Sequence, residues 1–354
     1  MLQRFLITGG AGFIGSALTR HIIQKTHYSV LVFDKLTYAS NFDSLLSIKD
    51  HARFTFVRGD ICDRSVVEDT IATYRPQAIL HLAAETHVDR SIDSPMPFVQ
   101  NNIVGTATLL EAAYKYWNKL PGTLKGSFRF HHVSTDEVYG SLAGNNSFTE
   151  SSAYDPRSPY SASKAAADHL VSVWGHTFGL PVIISHSTNT FGPWQFPEKL
   201  IPLMIIKALK GDRLPVYGDG SNVRDWMFVD DHASALFSVV TKGRAGERYC
   251  IGAECQKSNI DIVKQLCKIL DEVAPKAVRH ESLISFVTDR PGHDRKYAID
   301  PTKLKSQIEW SPQHDFATSL RRTVAWYIEN RTWWTRLLES CYGGERLGLL
   351  AARQ

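Results

Sequence analysis

Apolar residues along the first half of the chain fall into short unbroken runs. Arg4–Thr8, Val30–Asp34, Phe54–Arg58, Ala78–Leu82, Phe128–Ser134 and Val182–His186 each read as a strand buried on both faces. Between them the spacing changes to the helical period over Phe13–Gln24, Val66–Tyr74, Phe98–Tyr116 and Ser161–Phe178. Strict alternation of strand and helix calls for a parallel sheet covered on both sides. Right-handed crossovers make it a doubly wound, Rossmann-type α/β sheet. After Phe191 the rhythm breaks. Pro193, Pro197, Pro202 and Pro215, with Gly211, Gly218 and Gly220, leave short segments of mixed α/β character that suit a smaller region covering a ligand.

Asp230–Lys242 again looks helical and is expected to return to the sheet. The expected division is therefore residues 1–190 with part of 225–245, then 191–340, then a tail 341–354 with no assignable role. Thr318–Leu338, rich in Trp and Arg, is expected to form a docking helix.

Composition narrows the class. Hydrophobic content of 43% with 21% charged residues over 354 residues is that of a globular protein. The net charge of +4 is small, and no Lys/Arg run is present that would follow a nucleic-acid backbone. No apolar run reaches the ~18–20 residues that a membrane-spanning helix needs. Five cysteines form neither a CxxC pair nor a zinc-like spacing with His, so no metal site is expected. Their odd number, and the absence of a signal-peptide pattern at Met1–Arg4, fit a reducing cytoplasm.

The first strand runs into Gly9-Gly10-Ala11-Gly12-Phe13-Ile14-Gly15 and then a helix. One glycine allows a tight turn, a second admits a pyrophosphate to the backbone, and a third lets helix and strand pack closely. The helix N-terminus adds N–H donors and partial positive charge. Asp34 ends the second strand about 20 residues on, where a carboxylate accepts ribose hydroxyls and repels a 2′-phosphate. NAD is thus expected over NADP. Asp60-Ile61 and Leu82-Ala83-Ala84 follow two further strands; Asp60 either meets the adenine edge or caps a helix.

Tyr160 and Lys164 stand four residues apart on one helix face. A phenol is a poor base near neutrality, and a neighbouring ammonium together with a cationic nicotinamide ring would lower its pKa. The fifth strand ends in Thr135-Asp136-Glu137. The two acids either cap the next helix or provide a base and an acid for elimination.

Taken together, Gly9–Gly15, Asp34–Ala39, Leu82–Glu85, His87–Ser91, Ser134–Gly140, Tyr160–Lys164, Phe196–Pro202, Arg224–Trp226 and Asp289–Arg295 resemble the dTDP-glucose 4,6-dehydratases. These belong to the extended short-chain dehydrogenase/reductase family. The likeness runs from Arg4 to about Tyr327. It implies that Tyr160, with Thr135 and Lys164, takes the C4 hydroxyl proton while hydride passes to NAD. Glu137 then removes the C5 proton and Asp136 protonates the departing C6 hydroxyl, which requires a raised pKa at Asp136. Hydride finally returns to C6, so water is lost and the enzyme is a lyase.

The same resemblance extends the cofactor contacts to Phe13, Ile14, Lys35, Leu36, Thr37, Ile61, Asn101 and Thr190. It gives the nucleotide sugar Thr86, Asn189, Lys199, Leu200, Pro215, Tyr217, Arg224, Asn259, Arg290 and His293. Arg224 suits the diphosphate, the other reading being an ion pair with Asp225. The chain departs from the family pattern at Thr188–Pro193, where Thr190 replaces an asparagine, and at Asn101, which replaces a threonine. A homodimer through Phe98–Tyr116 and Ser161–Phe178 is also implied. A UDP-glucose 4,6-dehydratase, a nucleotide-sugar 4-epimerase and a non-catalytic dinucleotide sensor stay open as alternatives; the latter two have no need of Asp136 with Glu137.

Overall fold

The computed structural model describes residues 3–144, 146–289, 292–340, 342 and 347. Among them seven parallel strands form the central sheet: β1 (Arg4–Thr8), β2 (Ser29–Asp34), β3 (Phe54–Arg58), β4 (Ala78–His81), β5 (Arg129–Thr135), β6 (Val182–Ser187) and, last in the sheet, Arg248–Ile251. With the edge strand named first, the spatial order is Arg248–Ile251, β6, β5, β4, β1, β2, β3. The order turns back between β1 and β4, and ligands of open α/β sheets bind at such a reversal, outside the carboxyl ends of the strands.

Alternation within each strand explains why both faces are covered. Phe5 and Ile7 of β1, Val30 and Val32 of β2, and Ala78 and Leu80 of β4 join one core. The residues between them, Leu6, Leu31 and Ile79, join the other. Truncating one of these, Phe5 for example, would cost about 3–5 kcal/mol. The first core is closed by helix Phe13–Lys25 packed against helix Val229–Lys242, whose Ala233, Leu236, Val239 and Val240 meet Leu18, Ile22 and Ile23.

A separate core gathers Phe191, Phe196, Ile205, Trp226, Leu266, Val324 and Trp334. Around it lie two small sheets. One orders Gln256–Ser258, Val223–Phe228 and Asn189–Phe191; the other pairs Leu214–Tyr217 with Ile284–Val287.

Two helices differ from the sequence expectation. Phe98–Tyr116 is not one regular helix: Met96–Phe98 leads into a π-helical turn, Val99–Gly105, before α-helix Thr106–Asn118. The wider turn lets the adjacent Asn101 and Asn102 both face inward, where each finds partners. The expected docking helix is two helices, Phe316–Glu329 and Arg331–Ser340, broken at Asn330. The Asn330 side chain donates to the Trp326 carbonyl, and the Trp334 indole donates to the Tyr327 carbonyl at 2.8 Å. The carbonyls left open at the first helix end are thereby satisfied, and the chain can turn. The last residues of the tail lie outside the described residues, apart from Tyr342 and Leu347.

Candidate active site

The carboxyl ends of β1, β2, β4, β5 and β6 open onto one cavity, and its lining contains most of the residues singled out above. At its floor, Gly9 turns the chain at φ +69°, and a side chain there would strike the Ala83 backbone nitrogen at 2.6 Å. Gly15 packs so tightly that a Cβ would lie 2.2 Å from the Gly9 oxygen. At Gly12 a Cβ would meet nothing but the Gly9 oxygen, at 3.2 Å. Gly12 caps helix Phe13–Lys25 without a side-chain hydrogen bond, and the first turn holds no acidic residue. A glycine whose absent side chain leaves the backbone open to approach, N–H groups at the helix start and the helix dipole fit a dinucleotide pyrophosphate.

Asp34 borders this cradle. Its carboxylate accepts the Ala11 N–H at 3.0 Å and the Leu36 N–H at 2.8 Å, so it secures the glycine loop while lining the cavity. Lys35 bonds Asn101 Oδ1 at 3.0 Å and faces Asp60 at 3.4 Å. Asp60 does not cap the following helix; Asp63 does, through the Ser65 and Val66 N–H groups. Asp60 instead accepts the Cys62 N–H, and although burial raises its pKa, that bond and Lys35 bring it below the usual carboxylate range.

Thr135, Asp136, Glu137, Tyr160 and Lys164 share the cavity's far wall. β5 ends at Thr135, whose hydroxyl accepts the Glu137 N–H at 3.2 Å and starts the short 3-10 helix Asp136–Tyr139. The Thr135 hydroxyl also lies 3.3 Å from Asp136 Oδ1, and it favours the charged form of the Tyr160 phenol. Asp136 is 2% exposed, and its Oδ2 has no protein partner among the described residues. Burial, then the Glu137 carboxylate, push its pKa well above the carboxylate range, which favours the protonated form.

Helix Pro159–Phe178 brings up Tyr160 and Lys164, its start fixed by a Ser158–Ser161 capping box. Lys164 donates to the Val133 carbonyl at 2.9 Å, and burial lowers its pKa to about 8 against the pull of Asp168. The Tyr160 phenol differs from the sequence expectation. Burial and then Glu137 push it well above its ordinary range, with only the Thr135 hydrogen bond opposing. The ammonium of Lys164 is engaged with β5 and does not offset the loss of water around the phenol.

Phe13, Ile14, Thr37, Ile61, Leu82, Ala83, Ala84, Thr86, Asn101, Asn189, Thr190 and Lys199 also line the cavity. Asn189 Oδ1 is buried without a partner there, and Lys199 donates to the Thr86 carbonyl at 3.1 Å. Leu36, Asp60, Leu200, Pro215, Tyr217, Arg224, Asn259 and His293 lie outside this lining. Arg224 is buried, donating to the Asp294 carbonyl at 2.9 Å with its guanidinium 4.3 Å from the Tyr297 ring centre. Asp225 makes no surface pair with it and instead receives the N–H groups of Ala253, Glu254 and Cys255. Tyr217 donates to Asp89 at 3.3 Å, and His293 bonds Asp289 at 2.6 Å. Pro215 sits within strand Leu214–Tyr217, while Leu200 and Asn259 begin helices. Arg290 lies outside the described residues.

Glu85, Gln195, Glu198 and His232 line the cavity although the sequence reading gave them no role. Glu198 pairs with Arg90 at 2.8 Å, and Arg90 in turn lies over the Tyr38 ring at 4.1 Å. Glu85 and Glu198 fall within motifs already recognised, which was the available signal.

A dinucleotide cradle facing a Tyr–Lys pair across a parallel sheet defines a short-chain dehydrogenase/reductase. The family model described as GDP-mannose 4,6 dehydratase matches residues 6–323. A dTDP-glucose 4,6-dehydratase of Neisseria meningitidis serogroup B is 54% identical over 98% of this chain and 99% of its own. The structure of a dTDP-glucose 4,6-dehydratase from Bacillus anthracis in complex with NAD superposes with a TM-score of 0.85. It is 42% identical and is covered over 95% of this chain and 99% of that one. A UDP-glucose 4-epimerase of Thermotoga maritima shares the fold at TM-score 0.81 with 27% identity, covering 93% of this chain and 100% of that one. The chain belongs to the GDP-mannose 4,6 dehydratase family and, within it, to the dTDP-glucose 4,6-dehydratases.

Proposed function

We propose that this chain converts dTDP-glucose to dTDP-4-dehydro-6-deoxyglucose and water with NAD as cofactor. The observation that carries the reading is buried Asp136 beside Glu137 in the cavity of Thr135, Tyr160 and Lys164, where burial raises the Asp136 pKa. Epimerases share the fold, and an epimerisation has no use for this pair of acids.

NAD, when bound, supplies the hydride acceptor for C4, the hydride donor for C6 and a positive ring beside the phenol. Tyr160 removes the C4 hydroxyl proton, with the Thr135 hydroxyl favouring the phenolate and Lys164 held beside it on the same helix. The C4 ketone acidifies the C5 proton, because the resulting anion delocalises into the carbonyl. Glu137 takes that proton, and Asp136 protonates the C6 hydroxyl as it leaves. Glu137 later returns its proton to C5. Gly9–Gly15, Asp34, Lys35, Asn101 and Thr190 hold the cofactor; Thr86, Asn189 and Lys199 meet the sugar nucleotide. Residues 1–190, with part of 225–245, form the cofactor half, and 191–340 the substrate half.

A homodimer is supported by apolar side chains exposed on two neighbouring helical segments, Val99 and Val104 on one and Val173 and Phe178 on the other. Free thiols at Cys62, Cys250, Cys255 and Cys267 fit a cytoplasmic enzyme. No helix among the described residues is long and apolar enough to cross a membrane. The product suits the making of 6-deoxyhexoses such as rhamnose.

Mass spectrometry of the protein with NAD and dTDP-glucose, UDP-glucose alongside, tests the reading. Loss of one water from dTDP-glucose is expected. Unchanged mass, or a galactose isomer, would overturn it. Light scattering at two concentrations tests the dimer.

A further inference from the structure

Beneath the cavity lies a buried polar cluster that the proposed chemistry does not use. Its centre is Asp168, fully buried and four residues beyond Lys164 on the helix that also carries Tyr160. Its Oδ2 accepts from Ser134 Oγ at 2.8 Å, from Tyr154 at 3.2 Å and from His186 Nε2 at 3.1 Å. His186 Nδ1 bonds the Tyr139 hydroxyl at 3.0 Å. On the other side, His132 Nε2 lies 3.2 Å from Asp168 Oδ1 and 3.3 Å from Lys164 Nζ.

These contacts join the acid-bearing turn to the Tyr–Lys helix, beside the bond from Lys164 to the Val133 carbonyl. Ser134 immediately precedes Thr135, and Tyr139 closes the short helix that presents Asp136 and Glu137. One carboxylate therefore holds that acid-bearing segment at both ends, Ser134 directly and Tyr139 through His186. The same carboxylate belongs to the helix of Tyr160 and Lys164. We propose that Asp168 is the positioning residue of this enzyme, fixing the acid–base turn against the Tyr–Lys helix.

A second consequence is electrostatic. Lys164 is surrounded by groups that disfavour its charge or leave it alone: His132 on β5, His81 on β4, Tyr160 on its own helix. His186 on β6 stands across Asp168, Arg248 lies over Tyr154, and Asp136 and Glu137 face Tyr160. Asp168 is the group that pulls the Lys164 pKa back up. Removing its charge without changing its shape should lower that pKa further.

The kinetic consequence rests on the dehydratase reading above; the tie itself rests on the distances. Asp168→Asn in the NAD-loaded full chain should lower kcat at least about tenfold with KM little changed. It should also move the alkaline limb of the kcat profile down by about one pH unit or more. The ¹³Cε signal of Lys164 in labelled protein should titrate lower by the same amount. A lost amplitude with an unmoved limb would leave Asp168 a purely structural residue, and a parental kcat would leave it no role; either overturns the proposal. Tyr139→Phe cuts the link to His186 and keeps the charge, so kcat should fall with the limb in place. Parental kcat in that variant also overturns the tie, and it decides the matter if Asp168→Asn does not fold. If the parental chain dehydrates nothing, the dehydratase reading fails alone, and the Lys164 titration in the two proteins decides this one.

Discussion

The ammonium of Lys164 donates to the carbonyl oxygen of Val133 at 2.9 Å, which ties the cation to the strand that ends in the acid–base residues. Burial brings its pKa from 10.5 to about 8. For a base lowered on folding, the unfolded chain binds more protons between those two values. The group therefore costs stability fully below about pH 8, and the cost disappears as pH rises to 10.5. Lys164→Met should lower kcat by about 100-fold or more. In thermal melts the parental protein should gain on that variant from pH 8 to 10.5; a constant difference would contradict the burial argument.

Glu137→Gln keeps the side-chain shape and removes the proposed C5 base. Mixed with NAD and dTDP-glucose, the variant should still show the near-ultraviolet absorbance of reduced cofactor, while water loss falls by about 10²-fold or more. Dehydration near the parental rate would assign the C5 base elsewhere.

Asp136→Asn should reduce water loss to a similar degree without unfolding the chain. Its carboxyl is raised well above 3.8 by burial and Glu137, so the unfolded state releases the proton first. Stability is thus present at low pH and falls as pH climbs from 3.8 through the raised value. Denaturation across that range should show the parental protein losing ground to the Asn variant, and parallel curves would argue against a protonated Asp136.

Two glycines of the same loop should separate folding from binding. In Gly15→Ala the new methyl would sit 2.2 Å from the Gly9 oxygen, and about 1–3 kcal/mol of stability should be lost as a lowered Tm. In Gly12→Ala the methyl meets one atom at 3.2 Å, so Tm should hold while NAD affinity, measured by calorimetry, falls about tenfold or more. Equal losses of Tm in both would remove the distinction.

All six expected strands agree with the observed ones to within one residue at each end, and Val32 with its neighbours shows why. A strand packed on both faces is mostly apolar, so its length is written in composition. The cofactor cradle and the Thr135–Glu137 turn were legible for a related reason, since both sit where strands end. What the sequence did not reveal depends on contacts across long separations. Asp168 reads as one more helical acid, yet it collects Ser134, His132 and His186 from two strands. Arg224 reads as a phosphate ligand, and its bond to a carbonyl seventy positions away could not be read beside it. The burial that raises the Tyr160 phenol was not legible, because periodicity reports that a residue is helical and not how dry its hydroxyl becomes.

The Thr135 hydroxyl lies 3.3 Å from Asp136 Oδ1 and stands between that acid and the Tyr160 phenol it influences. One pass of the proposed chemistry leaves Tyr160 one proton richer and Asp136 one proton poorer, with the totals equal. Both groups are nearly sealed, at 7% and 2% exposure, so neither trades readily with bulk water. A hydroxyl gives and takes a proton at once. A proton passed along Tyr160, Thr135 and Asp136 would restore the starting state from within, and the pocket would be rearmed without being opened.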